Sequence, residues 1–444
     1  MKKSEYIEKV LEQVRCKKAH EPLKKELEAP IDVQTQAFIS VGLPEDEAEE
    51  EAVKTMGDAA ETGVGLDAVH RPKFPMSAAL VAILLIAVGL VTRTFVLKNF
   101  YYYNENSFYS AISVPLAAAA MLAGYFLDYT VFTKFPKIAY SVFFCALTGL
   151  CILRRLNLIT GVGYDRYAAG RTLFFGVMLL TPFICGFVWS MRSKGFGGFV
   201  ISCLVSVIPS ALAALCTHCI SAAVLAGISA LIIITYAVKN NFFHIRKITA
   251  YLFMYIPVLI AALLLFIIII YFPYRIYFIC DDSRYIFTIF TGNCGFPLEL
   301  SEIRLFGANW VQGSVNSAIT EPEKHMIMAV TVRHGWAAGI AMSLLFLSLP
   351  VLMLVKSAKI KNVFGRMTSF SISFIFLFLT VTYILLNLGI PTDITSIAVP
   401  LFMAASPLNA IACGALLGIF MSAYGKKDIF PERKINAFCP KTGG

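Results

Sequence analysis

The chain reads as an all-α polytopic membrane protein with about ten transmembrane helices and a small N-terminal cytoplasmic helical domain. Three observations carry that expectation. Of 444 residues, 58% are hydrophobic and only 15% are charged, far from soluble averages. The apolar residues gather into runs from Phe74 onward, separated by short charged links, whereas residues 1–73 have an ordinary soluble composition. Lysine and arginine alternate in abundance from one link to the next, as orientation in a bilayer requires.

Within the N-terminal segment, Ile7, Val10, Leu11 and Val14 recur at helical spacing. A second helix is marked by Pro44 at its start, Glu45, Asp46 and Glu47 in its first turn, Lys54 in its last and Gly57 beyond it. Acid at the N-terminal end and base at the C-terminal end both oppose the helix dipole favourably. Pro30 is expected to interrupt the middle of this module. The start of the chain is charged throughout and lacks the apolar core of a cleavable signal, so the first span is expected to act as its own insertion signal.

Each apolar run is long enough for a hydrocarbon layer, which needs roughly 20 residues of helix because no water is present to satisfy the backbone. The spans expected are 75–97, 108–132, 135–153, 172–191, 197–215, 219–238, 249–272, 326–355, 368–389 and 396–423, leaving a tail over 426–444. With the N-terminus inside, the inner links hold Lys134, Lys137, Arg192, Lys194, Lys239, Arg246, Lys247, Lys356, Lys359, Lys361 and Arg366. The link 154–171 goes against this rule with four arginines. The sum places both termini in the cytoplasm and the long stretch 273–325 outside.

The net charge of +10 is therefore a topological charge; it lies in links rather than in a stripe, and nucleic acid is excluded as a partner. Most cysteines fall inside spans and act as small apolar residues. Cys280 and Cys294 share the outer loop, where a disulfide is open on the sequence alone. The Cys216–Cys219 run with His218 lacks a second ligand pair, so no metal site is read there. Trp310 and Trp336 suit an interfacial belt, Pro209, Pro257, Pro350 and Pro400 fall within spans, and Gly335 with Gly339 permits close helix packing.

The outer loop concentrates the chemistry. It holds Asp281, Asp282, Glu299, Glu302, Glu321 and Glu323 beside Arg275, Arg284, Arg304 and Lys324. Carboxylates beside fixed cations at a membrane surface suit group transfer on a lipid-linked substrate. One takes a proton from an attacking hydroxyl, and the cations hold a diphosphate leaving group. A plain solvated loop has the same composition.

Particular motifs favour the first reading. The run RLFGANWVQGS from Arg304 to Ser314 resembles the glycine-rich segment before the catalytic loop of the SEDS family, the FtsW, RodA and SpoVE group of cell-wall polymerases. The run EPEKHMIMAV from Glu321 to Val330 resembles that family's proline–glutamate and histidine–threonine–aspartate element. Phe364–Arg366 resembles its short cytoplasmic link, and Asn387–Thr392 its entry to the last span. The N-terminal module, with Met56–Asp58, is similar to a prefix domain found ahead of some permeases.

The resemblance implies a bacterial cytoplasmic-membrane protein of peptidoglycan synthesis, serving cell division or cell shape. Its expected partners are lipid II (an undecaprenyl-diphosphate-linked disaccharide), membrane lipids and a transpeptidase of the class B penicillin-binding type. It implies glycosyltransferase chemistry with no cofactor, although a divalent cation suits a diphosphate leaving group. The family's catalytic aspartate is absent: ungapped alignment puts His325 in its place. Its following acidic pair is replaced by Arg333 and His334, and its serine–tyrosine–glycine–glycine element by Met403–Ser406. Glu321, Glu323 and His325 are the candidate catalytic residues that remain; Arg304, Lys324, Arg333 and His334 are the candidate substrate-binding ones. A catalytically silent scaffold and a lipid or solute permease are the other readings.

Overall fold

The computed structural model describes residues 1–15, 17, 20–70, 75–97, 107–155, 166–216, 220–271, 303–307, 326–388 and 407–426. All regular structure among them is helical. The chain divides into two compact units: one built on Met1–Pro75 with Lys359–Arg366 and Ala423–Gly444, the other on Met76–Ala358 with Met367–Ser422.

The first unit contains α1 (Lys3–Glu12), α2 (His20–Ser40), α3 (Glu45–Thr55) and α4 (Ala59–His70). Their apolar faces meet around Tyr6, Ile7, Val10, Ile31, Ala52 and Val53. The helix α3 starts after Pro44 and ends before Gly57, whose φ of +85° is the left-handed corner expected of a residue just past a helix end. Pro30 does not break α2, contrary to expectation. Its side is exposed, so the carbonyl it leaves without an intrahelical donor faces water. Polar ties close the unit. Asp67, nearly buried, accepts from the Arg15 backbone N–H at 3.0 Å and from its guanidinium at 3.0 and 2.7 Å. Asp58 caps α4 through the N–H groups of Ala60 and Glu61. The N-terminal ammonium lies 3.1 Å from Glu50 and, chiefly by hydrogen bonding, holds that carboxyl below its ordinary range.

The second unit contains α5 (Met76–Leu97), α6 (Ser107–Phe126), α7 (Val131–Lys134), α8 (Pro136–Arg155), α9 (Arg166–Ser190), α10 (Gly195–Cys216), α11 (Ile220–Lys239) and α12 (Lys247–Tyr271). It continues with α13 (Met326–His334), α14 (Trp336–Ala358), most of α15 (Val363–Asn387) and most of α16 (Pro407–Gly425). Seven of these, α8 to α11 and α14 to α16, are long and apolar enough to cross a bilayer among the described residues. The protein is thus a multi-pass membrane protein. In α5, α6 and α12 the described apolar stretches are shorter.

Burial separates centre from rim. In α16 and α9, 78% and 72% of the spanning window is buried, against 17% in α8, so the first two are interior and α8 faces outward. Lipid gives apolar side chains no reason to leave it, so close packing between spans comes from small residues and polar contacts. On α16, Gly414 faces the backbone of Ala117 on α6, and Gly418 faces Met121 and Gly124. A methyl group at either glycine would overlap a carbonyl of α6. Gly186 on α9 is pressed in the same way against the carbonyl of Phe132. Buried hydroxyls add a polar layer: Ser357 on α14 lies 3.1 Å from Ser373 on α15.

Two spans depart from expectation. The stretch 108–132 is not one helix: α6 stops at Phe126, where Asp128 turns the chain and accepts from the Thr130 N–H at 3.2 Å. A short side chain that bonds its own backbone competes with the helical ladder. The stretch 326–355 is likewise broken, at Gly335, into α13 and α14. The span is α14 alone, whose 23 residues rise about 34 Å.

Candidate functional site

The break between α13 and α14 brings several of the candidate residues together. Arg333 and His334 occupy the last turn of α13, where positive charge is favoured by the helix dipole. Gly335 then takes φ +93°, open to glycine and costly for other residues. Its N–H donates to the Thr331 carbonyl at 2.8 Å, ending α13. A Cβ here would lie 2.6 Å from the Leu305 carbonyl oxygen and 2.8 Å from that of Arg304. Glycine therefore meets two needs at once, a left-handed corner and a close backbone approach.

That approach is a clasp. The first N–H groups of any helix have no intrahelical acceptor. At α14 they are satisfied from a distant segment: Trp336 N–H donates to the Arg304 carbonyl at 3.1 Å and Ala337 N–H to that of Leu305 at 3.0 Å. In return the Gly307 N–H donates to the His334 carbonyl at 3.2 Å. Arg304 and His334 are exposed and Arg333 is half-buried, and the clasp brings the backbones of the Arg304 and Arg333–His334 segments to one corner. Gly339 on α14 lets Thr331 on α13 seat directly against the helix backbone and so packs the two halves of the break together, whereas Gly335 packs on the backbone of Arg304 and Leu305.

The other end of α13 is held by α15. Asn387, 4% exposed, accepts from the Met328 N–H through Oδ1 at 2.9 Å and donates through Nδ2 to the Tyr383 carbonyl at 2.8 Å. One amide thus serves the first turn of α13 and the last turn of α15. Beside it lies a cavity of about 30 Å³ lined by Met328, Thr331, Trp336, Gly339, Ser343 and Asn387. It has room for a water and not for a sugar. Thr331 and Ser343 both bond back to carbonyls of their own helices, and Asn387 is engaged at both ends of its amide, so the polar groups lining the cavity are already partnered.

Of the substrate-binding candidates, the structure places Arg304, Arg333 and His334 at one corner. Lys324 lies outside the described residues, as do Glu321, Glu323 and His325, the cysteines Cys280 and Cys294, and Trp310. The chain nevertheless leaves the clasp at Gly307 and returns at Met326 as the first residue of α13. The segment bearing both glutamates is therefore anchored by the clasp at one end and by the helix that Asn387 holds at the other. Residues 217–219 of the Cys216–Cys219 run are also outside the described residues. Among the described residues, no three His, Cys, Asp or Glu side chains converge as metal ligands.

The roles of Gly335 and Asn387 were not anticipated. Gly335 carried one local signal, a charged pair followed by glycine inside an apolar run, which is the pattern of a helix end. Asn387 carried only its polarity at the end of a span. Comparison of the chain with protein-family models and with curated protein sequences returns no match.

Proposed function

We propose that this chain is a SEDS-like protein of the bacterial cytoplasmic membrane, with ten spans, both termini in the cytoplasm and the 273–325 loop outside. In this reading it acts on a polyprenyl-diphosphate-linked disaccharide in cell-wall synthesis beside a class B penicillin-binding-type transpeptidase. The supporting observation is the clasp. It gathers Arg304, Arg333 and His334 at the root of the segment that carries Glu321 and Glu323. Guanidinium groups are suited to a diphosphate, because their fork of donors matches paired oxygens and keeps its charge at any working pH. A carboxylate delivered from the same segment supplies the base for an attacking sugar hydroxyl. The ten spans of the reading are α5, α6, α8 to α12 and α14 to α16, with α13 as a short helix leading into the eighth. Residues 1–73 form the cytoplasmic prefix domain.

The test is glycan synthesis by the purified chain supplied with lipid II. Polymer is expected from the wild type and should be lost in Glu321→Ala or Glu323→Ala. Polymer from both variants at the wild-type rate rejects these residues as the base.

One observation favours a second reading. The aspartate expected from the family is missing, with His325 or a gap in its place. In this reading the chain is a silent relative that binds the lipid-linked substrate or the transpeptidase and regulates it. Binding of lipid II without polymer, with or without the transpeptidase, distinguishes it. A permease is the third reading, and transport in proteoliposomes without polymerisation is its signature.

A further inference from the structure

A second basic surface is built by the α9–α10 and α11–α12 links. The two links share one membrane face, because α10 and α11 cross as a hairpin between them. They are joined directly: the Ser193 N–H donates to the Phe242 carbonyl at 2.7 Å. Ser193, Asn241 and His244 have φ of 65°, 56° and 52°, and all positive-φ residues other than glycine among the described residues lie here. Asn241 is explained by its helix. It stands two residues past the end of α11, with its own N–H on Val238 and the next N–H on Ala237, a common helix-stop pattern. Ser193 stops no such ladder and is held by its bond across to Phe242, while the His244 N–H donates to the Asn241 carbonyl at 3.4 Å within its own link.

The result is a fixed platform. Trp189 packs edge-on against Phe242 at 5.3 Å, and the Arg192 guanidinium lies 4.2 Å above the Trp189 ring. Phe199 packs against Phe243 and Phe253, each at 5.7 Å. On this floor stand Arg192, Lys194, Lys239, His244, Arg246 and Lys247, all exposed. No carboxylate occurs in either link. Next to them, at the start of α10 and α12, Phe196, Ile248 and Phe253 are 51%, 75% and 48% exposed.

We infer that these two links form a binding site for the phosphate headgroup of an anionic phospholipid, with its acyl chains against Phe196, Ile248 and Phe253. Cations set close together over a floor of aromatic rings hold phosphate oxygens by charge-assisted hydrogen bonds. The exposed apolar residues beside them choose a lipid over a free phosphate. Cations beside spans also orient a chain during insertion, a role that needs neither a fixed platform nor headgroup selectivity. This inference needs only that α9 to α12 cross a bilayer, so it stands or falls independently of any glycan chemistry.

The test is native mass spectrometry of the full-length chain titrated with phosphatidylglycerol and with phosphatidylcholine of the same acyl composition. Parallel arms contain inorganic phosphate or glycerol 3-phosphate as competitors. Phosphatidylglycerol should be retained in preference, and the soluble phosphates should fail to displace it at equal concentration. The triple variant Arg192→Gln, Lys194→Gln, Arg246→Gln should lower its affinity on the order of a hundredfold, since each cation near an anionic surface contributes about a fivefold factor. The pair Lys134→Gln, Lys137→Gln, exposed cations in another link, should leave it unchanged. Equal retention of the two lipids, or equal losses in the two variants, overturns the inference. Displacement by inorganic phosphate overturns its lipid component. Because all the substituted side chains are exposed, an unchanged melting temperature in phosphatidylcholine is expected of both variants; a drop confined to the triple variant means a structural role instead.

Discussion

The side-chain oxygen of Asn387 lies 2.9 Å from the backbone nitrogen of Met328, so the end of one helix caps the beginning of another 59 residues earlier. Both groups are buried, and in an apolar surrounding an N–H left without an acceptor costs about 1–3 kcal/mol. Asn387→Leu keeps the volume and removes the acceptor. Hydrogen exchange at the Met328 amide should speed up by about tenfold or more, while exchange along α9 should not change. An unchanged rate at Met328 would show that water caps the helix as well as Asn387 does.

Gly335→Ala should open the clasp. The left-handed backbone costs a residue with a Cβ about 1–2 kcal/mol, and the overlap with the Arg304 and Leu305 carbonyls adds to it. Exchange at Gly307, Trp336 and Ala337 should rise together in this variant. Independent behaviour of these three amides would contradict a single closed structure.

The packing of α16 on α6 separates two classes of glycine. Gly418→Ala places a methyl group into the backbone of α6 and should lower the thermal midpoint of the purified protein. Gly149→Ala meets nothing within 4 Å and should leave the midpoint level or raise it, because alanine is the better helix former by about 1 kcal/mol. Equal responses from the two would mean that the α6–α16 approach is not close.

Topology is tested by cysteine labelling from each side of the membrane, on a background without native cysteines. A cysteine at Ser301 should react with an impermeant reagent from outside, and one at Ser4 only after the membrane is opened. Labelling of both from the same side contradicts the orientation drawn from the charged links.

Much of this architecture was legible in the sequence because a bilayer imposes a simple rule: a helix long enough to cross, apolar enough to stay, flanked by charge. Of the ten apolar runs, seven coincide with helices long and apolar enough to cross a bilayer among the described residues. What hydropathy could not detect were the corners. Asp128 and Gly335 each interrupt an apolar run with one residue, through a local side-chain bond in the first case and a left-handed backbone in the second. The basic corner was half legible. Arg304, Arg333 and His334 were singled out by their charge, but their convergence depends on backbone hydrogen bonds across an intervening segment, and no local pattern encodes that pairing. Asn387 and Gly418 act through partners 59 and about 300 residues away. Pro30 errs in the other direction, a strong breaker tolerated because its helix faces water there.

The functional claim rests on the basic corner recognising a diphosphate. The most direct measurement is the affinity of the purified full-length chain for undecaprenyl-diphosphate-linked disaccharide, compared with Arg304→Ala, Arg333→Ala and their combination. The clasp uses backbone groups at Arg304, so these variants should stay folded. Each should weaken binding by about tenfold or more, as expected when one charge-assisted hydrogen bond is lost, with the polyprenol-free sugar barely bound by any of them. Wild-type affinity in the double variant would contradict the account.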